Sequence, residues 1–160
     1  DIISAQVKGY DYTNLSLKGS VDKGVVQTTA NINDQNIAFN LNATADINTK
    51  FPSVQLDFLL DTINLKELHL ITDTISLHGH ITANMPATNP ASLNGTVTLN
   101  DLAVTKAGKS LSADSIAITA SANAEQKNIT VNSNEVKVSR AGEYKLTEVA
   151  QSLQQTINRY

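Results

Sequence analysis

The chain is 160 residues long, enough for one domain with a sizeable core, and 41% of it is hydrophobic although only 4% is aromatic. The absence of cysteine excludes a disulfide scaffold, a thiolate metal site and a cysteine nucleophile. A net charge of −3 provides no basic surface, so we expect no nucleic-acid partner. Asn (17), Thr (17) and Ser (13) occupy 47 positions and supply small neutral polar groups.

The first half of the chain alternates apolar and polar residues, the period-two pattern of strands with one buried face. The clearest run places Ile37, Phe39 and Leu41 on one side and Asn40 on the other. Turn-forming residues such as those at 22–24 and 33–36, and later those at 106–109, separate the runs. The strands expected here, in chain order, are 15–21, 26–32, 37–47 and 54–60.

The segment 64–70 interrupts this alternation. Its apolar residues Leu65, Leu68 and Leu70 favour a one-turn helix or a crossover. Alternation then resumes, and the further strands are expected at 75–85, 93–99, 116–122 and 129–131. One wet face and one buried face indicate an antiparallel sheet, so we expect an all-β meander of about nine strands.

The parity of the alternation changes at three places, within 99–102, 113–116 and 131–136. In a regular strand each odd step would turn the following side chains to the opposite face. A bulge or bend at each point returns them to the buried face. Bends in several strands curl a sheet, so we expect a curved sheet shaped as a half-pipe.

The end of the chain has the spacing of a helix rather than of a strand. Apolar residues that share one helical face are Leu146, Val149, Ala150, Leu153 and Ile157. We therefore expect one β-rich domain over 1–160, with a curved sheet at 1–145 and an amphipathic helix at 146–160. The helix covers an open end of the sheet or binds a partner.

A motif of the form Leu-x-Gly-x-(Ile/Val) occurs at 17–21, 77–81 and 93–97. Its glycine replaces a side chain of the apolar face and marks a bulge or a close backbone approach. Two of the copies lie in a region, 61–70, 73–81 and 93–104, that resembles the AsmA-like superfamily, most closely its TamB type of translocation and assembly protein as found in Bacteroides. The resemblance extends from about residue 8 to residue 160.

The resemblance implies a segment of a much longer periplasmic protein, anchored in the inner membrane by a helix absent from this sequence. It implies a curved β-groove, the β-taco, whose apolar interior shields phospholipid acyl chains during transport to the outer membrane. The expected partners are those chains and an outer-membrane assembly protein, so the function is lipid transport and outer-membrane biogenesis. No enzymatic reaction and no cofactor is implied.

The groove is expected to be lined by small apolar residues, because a lining poor in aromatic rings leaves room for acyl chains. The expected lining residues are Leu17, Ile37, Phe39, Leu41, Leu56, Phe58, Leu77, Ile81, Val97 and Leu99. The same residues form a packed core if the sheet closes into a sandwich. The alternative function is structural: a scaffold that pairs with outer-membrane proteins along its β-edges, or a surface stalk or adhesin domain. Unpaired terminal strands also predict an edge-paired dimer.

The titratable residues offer little for catalysis. The sequence contains no nucleophile elbow, phosphate loop or zinc-protease motif, so we expect no catalytic residue and no bound metal. His78 and His80 share one face of a strand, which is more typical of two solvated histidines than of half a metal site. Asp57 and Asp61 on one polar face are likewise more typical of solvated carboxylates than of a glycosidase pair.

Overall fold

A computed structural model describes residues 2–123, 126–134 and 137–142 of the chain. These residues form one antiparallel sheet of ten strands in chain order, without a helix. The strands are β1 (Ile2–Val7), β2 (Tyr10–Asp22), β3 (Val25–Asn33), β4 (Ile37–Asp46), β5 (Ser53–Asn64), β6 (Ile75–Ala87), β7 (Asn94–Lys106), β8 (Lys109–Ala122), β9 (Lys127–Ser133) and β10 (Lys137–Ala141). The expected all-β antiparallel meander is confirmed, with ten strands in place of about nine.

Two-residue turns join three of the hairpins. In the β2–β3 turn Lys23 and Gly24 have φ values of 47° and 78°, and Ala107 and Gly108 of the β7–β8 turn have 49° and 80°. Positive φ at both central residues matches the right-handed twist of the flanking strands, and glycine reaches it without steric cost. The turns predicted from the sequence at 22–24 and 106–109 are therefore confirmed.

The sheet is a single open layer within the described part of the chain. Each strand contacts only the strands that precede and follow it in sequence. Buried hydrophobic residues are confined to Ile32, Leu68, Ala120 and Ile129 among the described residues, and of these only Leu68 is fully buried. A sandwich would bury most of the apolar face between two layers about 10 Å apart. This face is instead half-exposed, and no second layer covers it within the described ranges.

Bulges accommodate the parity changes. The register of β6 with β7 shifts between His78 and His80, and Asp101 of β7 has a φ of 51°. Leu99 pairs with Ile81 and Val104 pairs with Leu77, so both sides of the parity change in β7 stay on the same face. In β8 the parity of the apolar residues changes at the positions that face this region of β7, because Leu99 pairs with Ile116 and Leu102 pairs with Ala113. The irregularities predicted within 99–102 and 113–116 are confirmed.

Glycine serves two different purposes in the repeated motif. A side-chain carbon added at Gly95 would lie 3.0 Å from the Met85 Cα and closer still to the Asn84 carbonyl oxygen, where the β6–β7 register shifts. At Gly79 it would lie 3.4 Å from the Leu102 Cα. Gly19 differs, because its nearest neighbour would be a backbone oxygen 3.8 Å away. The predicted bulge or close approach is confirmed at Gly79 and Gly95 and is wrong at Gly19.

The helical turn predicted at 64–70 is wrong. Residues 65–74 form a loop of hydrogen-bonded turns, in which Leu68 N donates to Asn64 O at 3.1 Å and His69 N donates to Lys66 O at 3.0 Å. Forming the first turn of a helix fixes three residues for one hydrogen bond, and this segment is too short to recover that cost. His69 then leaves the helical region with a φ of 59°.

Two expectations lie outside the described residues. The amphipathic helix predicted at 146–160 is one of them, and so is the far end of the parity change at 131–136.

Candidate functional site

The strand register assembles one continuous apolar face. Residues directly opposite each other in neighbouring strands point to the same side of a sheet. One row of such partners crosses seven strands from β2 to β8 and consists of Leu17, Ala30, Leu41, Phe58, Ile81, Leu99 and Ile116. A second row near the opposite ends of the strands consists of Ile37, Ile63, Leu77, Val104 and Leu111.

All ten residues predicted to line a groove lie on this face. Leu17, Leu41, Phe58, Ile81 and Leu99 belong to the first row, and Ile37 and Leu77 belong to the second. The remaining residues continue the same alternation along β4, β5 and β7, namely Phe39, Leu56 and Val97. The face therefore contains every predicted lining residue, although the residues come from five strands.

The apolar face is accessible over most of its width. Leu17 is 54% exposed, whereas the other nine predicted lining residues are half-buried. Phe39 and Phe58 lie on adjacent strands with ring centroids 5.5 Å apart and ring planes tilted by 50°. This pair gives the face its only ring contact between two phenylalanines among the described residues, and aliphatic side chains surround it.

The opposite face is polar and carries weakly interacting charges. His80 Nε2 lies 3.0 Å from Asp57 Oδ1, and both side chains are partly exposed. Exposed pairs of this kind contribute about 0–1 kcal/mol, so the contact holds little of the fold together. No cluster of three metal-ligating side chains occurs in the part of the chain that the structure describes.

One end of the sheet is capped by the β5–β6 loop. His69 Nδ1 lies 3.2 Å from the carbonyl oxygen of Lys8 in the β1–β2 turn, and its ring meets that of Tyr10 edge-on at 6.3 Å. Leu68 of the same loop is the largest fully buried side chain of the described residues, at 0% exposure. The loop thus links strands that are separated by β3 and β4 in the sheet.

A hydrogen-bonded cluster around Asp34 fixes the β3–β4 turn at the same end. The Tyr10 hydroxyl donates to Asp34 Oδ1, while Thr13 donates to Asp34 Oδ2 through its backbone N–H at 3.1 Å and its hydroxyl at 2.7 Å. The backbone N–H of Asn36 donates to Oδ1 at 3.0 Å. Strand β2 is thereby tied to the turn at residues where it no longer pairs with β3.

The surroundings within this cluster shift the pKa values of Asp34 and Tyr10 in opposite directions. Burial raises the pKa of Asp34, but hydrogen bonds from Asn36, Tyr10 and Thr13 outweigh it and lower the pKa from 3.8 to about 2. Burial, and next the hydrogen bond to Asp34, raise the pKa of Tyr10 above 10.0. Asp34 is therefore an anion whose charge is satisfied by protein donors.

The long outer edge of β2 is only partly covered. Strand β1 pairs with β2 from Tyr10 to Leu15, so Leu17–Asp22 face no strand on that side within the described residues. Val21 is 68% exposed, the highest value among the exposed large hydrophobic side chains. We call Leu17–Asp22 the open β2 edge. The sequence predicted unpaired terminal strands but not this half-covered geometry.

A shallow depression lies between β2, β3 and β4. It has a volume of about 100 Å³ and is lined mainly by polar groups such as those of Lys18, Asn31 and Asn40. This volume is well below the roughly 300–1,000 Å³ of typical small-molecule sites. The apolar face is thus the larger candidate surface.

Sequence reasoning missed the capping loop and the Asp34 cluster. Both depend on contacts between residues far apart in the chain, and alternation carries no signal for such contacts. The sequence predicts the turn at 33–36, but nothing in its composition indicates Tyr10 as a partner of Asp34.

No helix among the described residues is long and apolar enough to cross a membrane. Comparison of the chain with family models, curated proteins and solved structures found no match in any of the three.

Proposed function

We propose that the apolar face of this sheet shields lipid acyl chains, as part of a TamB-type protein that spans the periplasm and supports phospholipid transport to the outer membrane. The observation that carries the proposal is the single open layer: an apolar face that crosses the sheet and is covered by no second layer among the described residues. Contiguous exposed apolar surface of this size marks a site for a membrane, a lipid or a partner.

The composition of the face favours flexible hydrocarbon over a rigid ligand. Leu, Ile, Val and Ala side chains dominate its rows, and hydrogen-bonding groups are rare there. Acyl chains need no polar partner and gain about 25 cal/mol for each Å² of apolar surface removed from water. A sugar or nucleotide would leave its own polar groups unpaired against this surface.

The apolar face is long enough to hold one lipid but too short to reach from one membrane to the other. Ten strands have nine intervals, and about 4.8 Å per interval gives roughly 43 Å across the sheet. This exceeds one extended acyl chain and is much shorter than the distance between two membranes. We propose that the bulges of β5, β6 and β7 curl the sheet into the half-pipe of the β-taco, and that longer flanking sheets continue it.

Lipid binding is tested with a pair of neighbouring substitutions. Leu41→Asp places a carboxylate in the middle of the apolar face, whereas Asn42→Asp places the same charge on the adjacent, opposite-facing position. We expect Leu41→Asp to reduce bound phosphatidylethanolamine at least about fivefold, because a charge among acyl chains is costly to desolvate. Asn42→Asp should bind as the unaltered protein does. Native mass spectrometry after incubation with the lipid in mild detergent measures the bound fraction.

A direct contact provides a second readout. A photo-reactive phenylalanine analogue at position 39 should cross-link to the lipid, and one at exposed position 59 on the polar face should not. Thermal unfolding of each variant checks that the sheet is intact. If the unaltered protein takes up no lipid, or if both aspartate variants lose it equally, the proposal is wrong.

A structural role is the second candidate, that of a scaffold that pairs with other proteins along a β-edge. An edge with free backbone donors and acceptors accepts an extended strand, the mode by which a scaffold would hold an outer-membrane protein. Lipid-free protein that captures an extended peptide with the same affinity after Leu41→Asp would favour this role.

A further inference from the structure

We propose that the β5–β6 loop, residues 65–74, competes with acyl chains for the apolar face. The loop covers the face at one end of β2–β5 in the lipid-free chain, and a bound acyl chain displaces it. This role rests on the proposed lipid binding and adds a means of regulating it at the same site. Three features of the loop support it: the side of the sheet on which it lies, the surface that it covers and the contacts that hold it in place.

The loop lies on the side of the apolar face, where its histidine ring meets the ring of Tyr10 edge-on at 6.3 Å. Asn14 of β2 has a φ of 55°, close to the 51° of Asp101, where the parity of β7 changes. The residues two before and one after Asp101 share the apolar face, so the same geometry sets Tyr12 and Leu15 on that face of β2. Tyr10 continues the alternation from Tyr12, and the residue between the two half-buried tyrosines is exposed. Tyr10, and the loop that contacts it, therefore lie on the apolar side.

The loop covers the row of apolar residues nearest to it. This row, which we call the Ile32 row, crosses β2–β5 and consists of Leu15, Ile32, Phe39 and Leu60. Between β5 and the β1–β2 turn the loop passes the ends of β3 and β4, beside this row. Ile32 is 4% exposed, the only buried residue among the described positions of β1–β6, whereas Leu17 on the same face is 54% exposed. A loop that packs the fully buried Leu68 against the Ile32 row accounts for both burials.

Leu68 thus does on this surface what an acyl chain would do. Burial of hydrocarbon is non-directional and roughly proportional to area, so a leucine side chain and a lipid tail are interchangeable partners for the Ile32 row. The two cannot occupy the row at the same time. Leu99 lies in the middle of β7, away from this end of the sheet, so the competition is local to the Ile32 row.

The contacts that hold the loop are few and are partly offset. His69 Nδ1–H donates to the carbonyl oxygen of Lys8 at 3.2 Å, and the ring contact with Tyr10 adds to it. Against these, His69 has a φ of 59°, a conformation that is costly for a residue with a side chain. Asn64 Oδ1, where the loop leaves β5, is buried and accepts no hydrogen bond from the described residues. Displacing the loop therefore costs less than unpairing a strand.

A loop that is locked in place should keep lipid away from the Ile32 row. The chain has no cysteine, so a short bifunctional maleimide can join Lys8→Cys to Glu67→Cys, two exposed positions near the contact of His69 with Lys8. A photo-reactive phenylalanine analogue at position 39 reports lipid on the row, and one at position 99 reports lipid elsewhere on the face.

With phosphatidylethanolamine as the probe, the lock should lower cross-linking at position 39 at least about fivefold, because only the open loop admits a chain there. Cross-linking at position 99 should not change. The matched control is the same double variant with a monofunctional maleimide on each thiol, which should behave as the unaltered protein does.

A loop that is released should admit lipid more readily. His69→Ala removes the hydrogen bond to Lys8 and the ring contact, so cross-linking at position 39 should rise about twofold to tenfold at sub-saturating lipid. His69→Asn keeps an N–H donor and should return the signal towards the unaltered level. Lys66→Ala, an exposed change in the same loop, should have no effect.

The loop also gives a readout that needs no lipid. The amides of Leu68 and Leu70 donate to backbone oxygens within the loop and its root. Their exchange in lipid-free protein, followed by nuclear magnetic resonance, should quicken in His69→Ala by about the same factor as the cross-linking rises.

The outcomes separate this proposal from the lipid proposal. Cross-linking at position 39 that is the same with the loop locked and free, while position 99 also reports lipid, overturns the competition and leaves lipid binding standing. A lock that lowers both positions equally overturns it as well. If neither position cross-links in any variant, lipid binding is wrong and the competition falls with it.

Discussion

Asp34 is the residue whose ionisation bears most directly on the fold. Its carboxylate accepts hydrogen bonds from the Tyr10 hydroxyl, from Thr13 and from the backbone of Asn36. Four donor groups, from three residues in two separate segments, thus depend on one charge. Since the folded protein holds the pKa of Asp34 at about 2, below the ordinary carboxyl value, the anion favours folding.

This shift predicts a defined pH dependence. The stabilisation is fully present above the unfolded pKa of about 3.9 and is lost as pH falls towards 2. Asp34→Asn should lower the free energy of unfolding by about 1 kcal/mol at pH 7, a figure discounted for the partial exposure of the group. Urea unfolding at several pH values should show this difference shrinking as the pH falls from about 4 to about 2, the window between the unfolded and folded pKa values. A difference that is constant over that range would contradict the assignment.

Among the structural elements, the β5–β6 loop contributes most beyond local pairing. It closes one end of the sheet through the contact of His69 with Lys8 and Tyr10, and it buries Leu68 completely. The sheet elsewhere relies on pairing between consecutive strands. The loop is thus the one described contact that ties β1 and β2 to β5 and β6.

A leucine pair within this loop tests its contribution. Leu68→Ala should cost about 2–4 kcal/mol of stability, because it empties a fully enclosed position. Leu70→Ala, at a side chain that is 38% exposed, should cost about 1 kcal/mol or less. Chemical denaturation measures both. Equal losses would show that enclosure of Leu68 adds nothing to the stability of the sheet.

The elements also show how far sequence reasoning reaches. Alternation placed all ten expected lining residues on one face, because side chains in a strand obey a strict period of two. At 99–102 and 113–116 consecutive apolar residues are an odd number of positions apart. In a regular strand the later residue would point to the polar face, so the spacing indicates an irregularity there. The helical turn predicted at 64–70 is wrong, since leucines three residues apart, Leu65 and Leu68, also suit a loop with one buried anchor.

The contacts that the sequence does not predict join residues that are far apart along the chain. Tyr10 lies 24 residues from Asp34 in the sequence, and Lys8 lies 61 residues from His69. Periodicity describes which way a side chain points, not which remote residue meets it.

At the scale of the whole molecule, the single layer predicts a gradient of backbone protection. Central strands β5, β6 and β7 are hydrogen-bonded along both sides, whereas β1 pairs with β2 alone among the described residues. Amide exchange should be slowest in these central strands and faster in β1. Nuclear magnetic resonance of dilute protein measures this, and equal rates in β1 and β6 would contradict the single-layer arrangement.

The order of the strands has one more consequence, for the way such a protein changes over evolutionary time. Each described strand pairs only with its predecessor and its successor, so no strand pairing spans an inserted or deleted hairpin. Adding or removing one hairpin changes the width of the sheet by about 9.6 Å and leaves the pairing within every other hairpin as it was. Gene duplication of a short segment is therefore enough to lengthen the molecule, and length becomes a property that selection adjusts in steps of two strands.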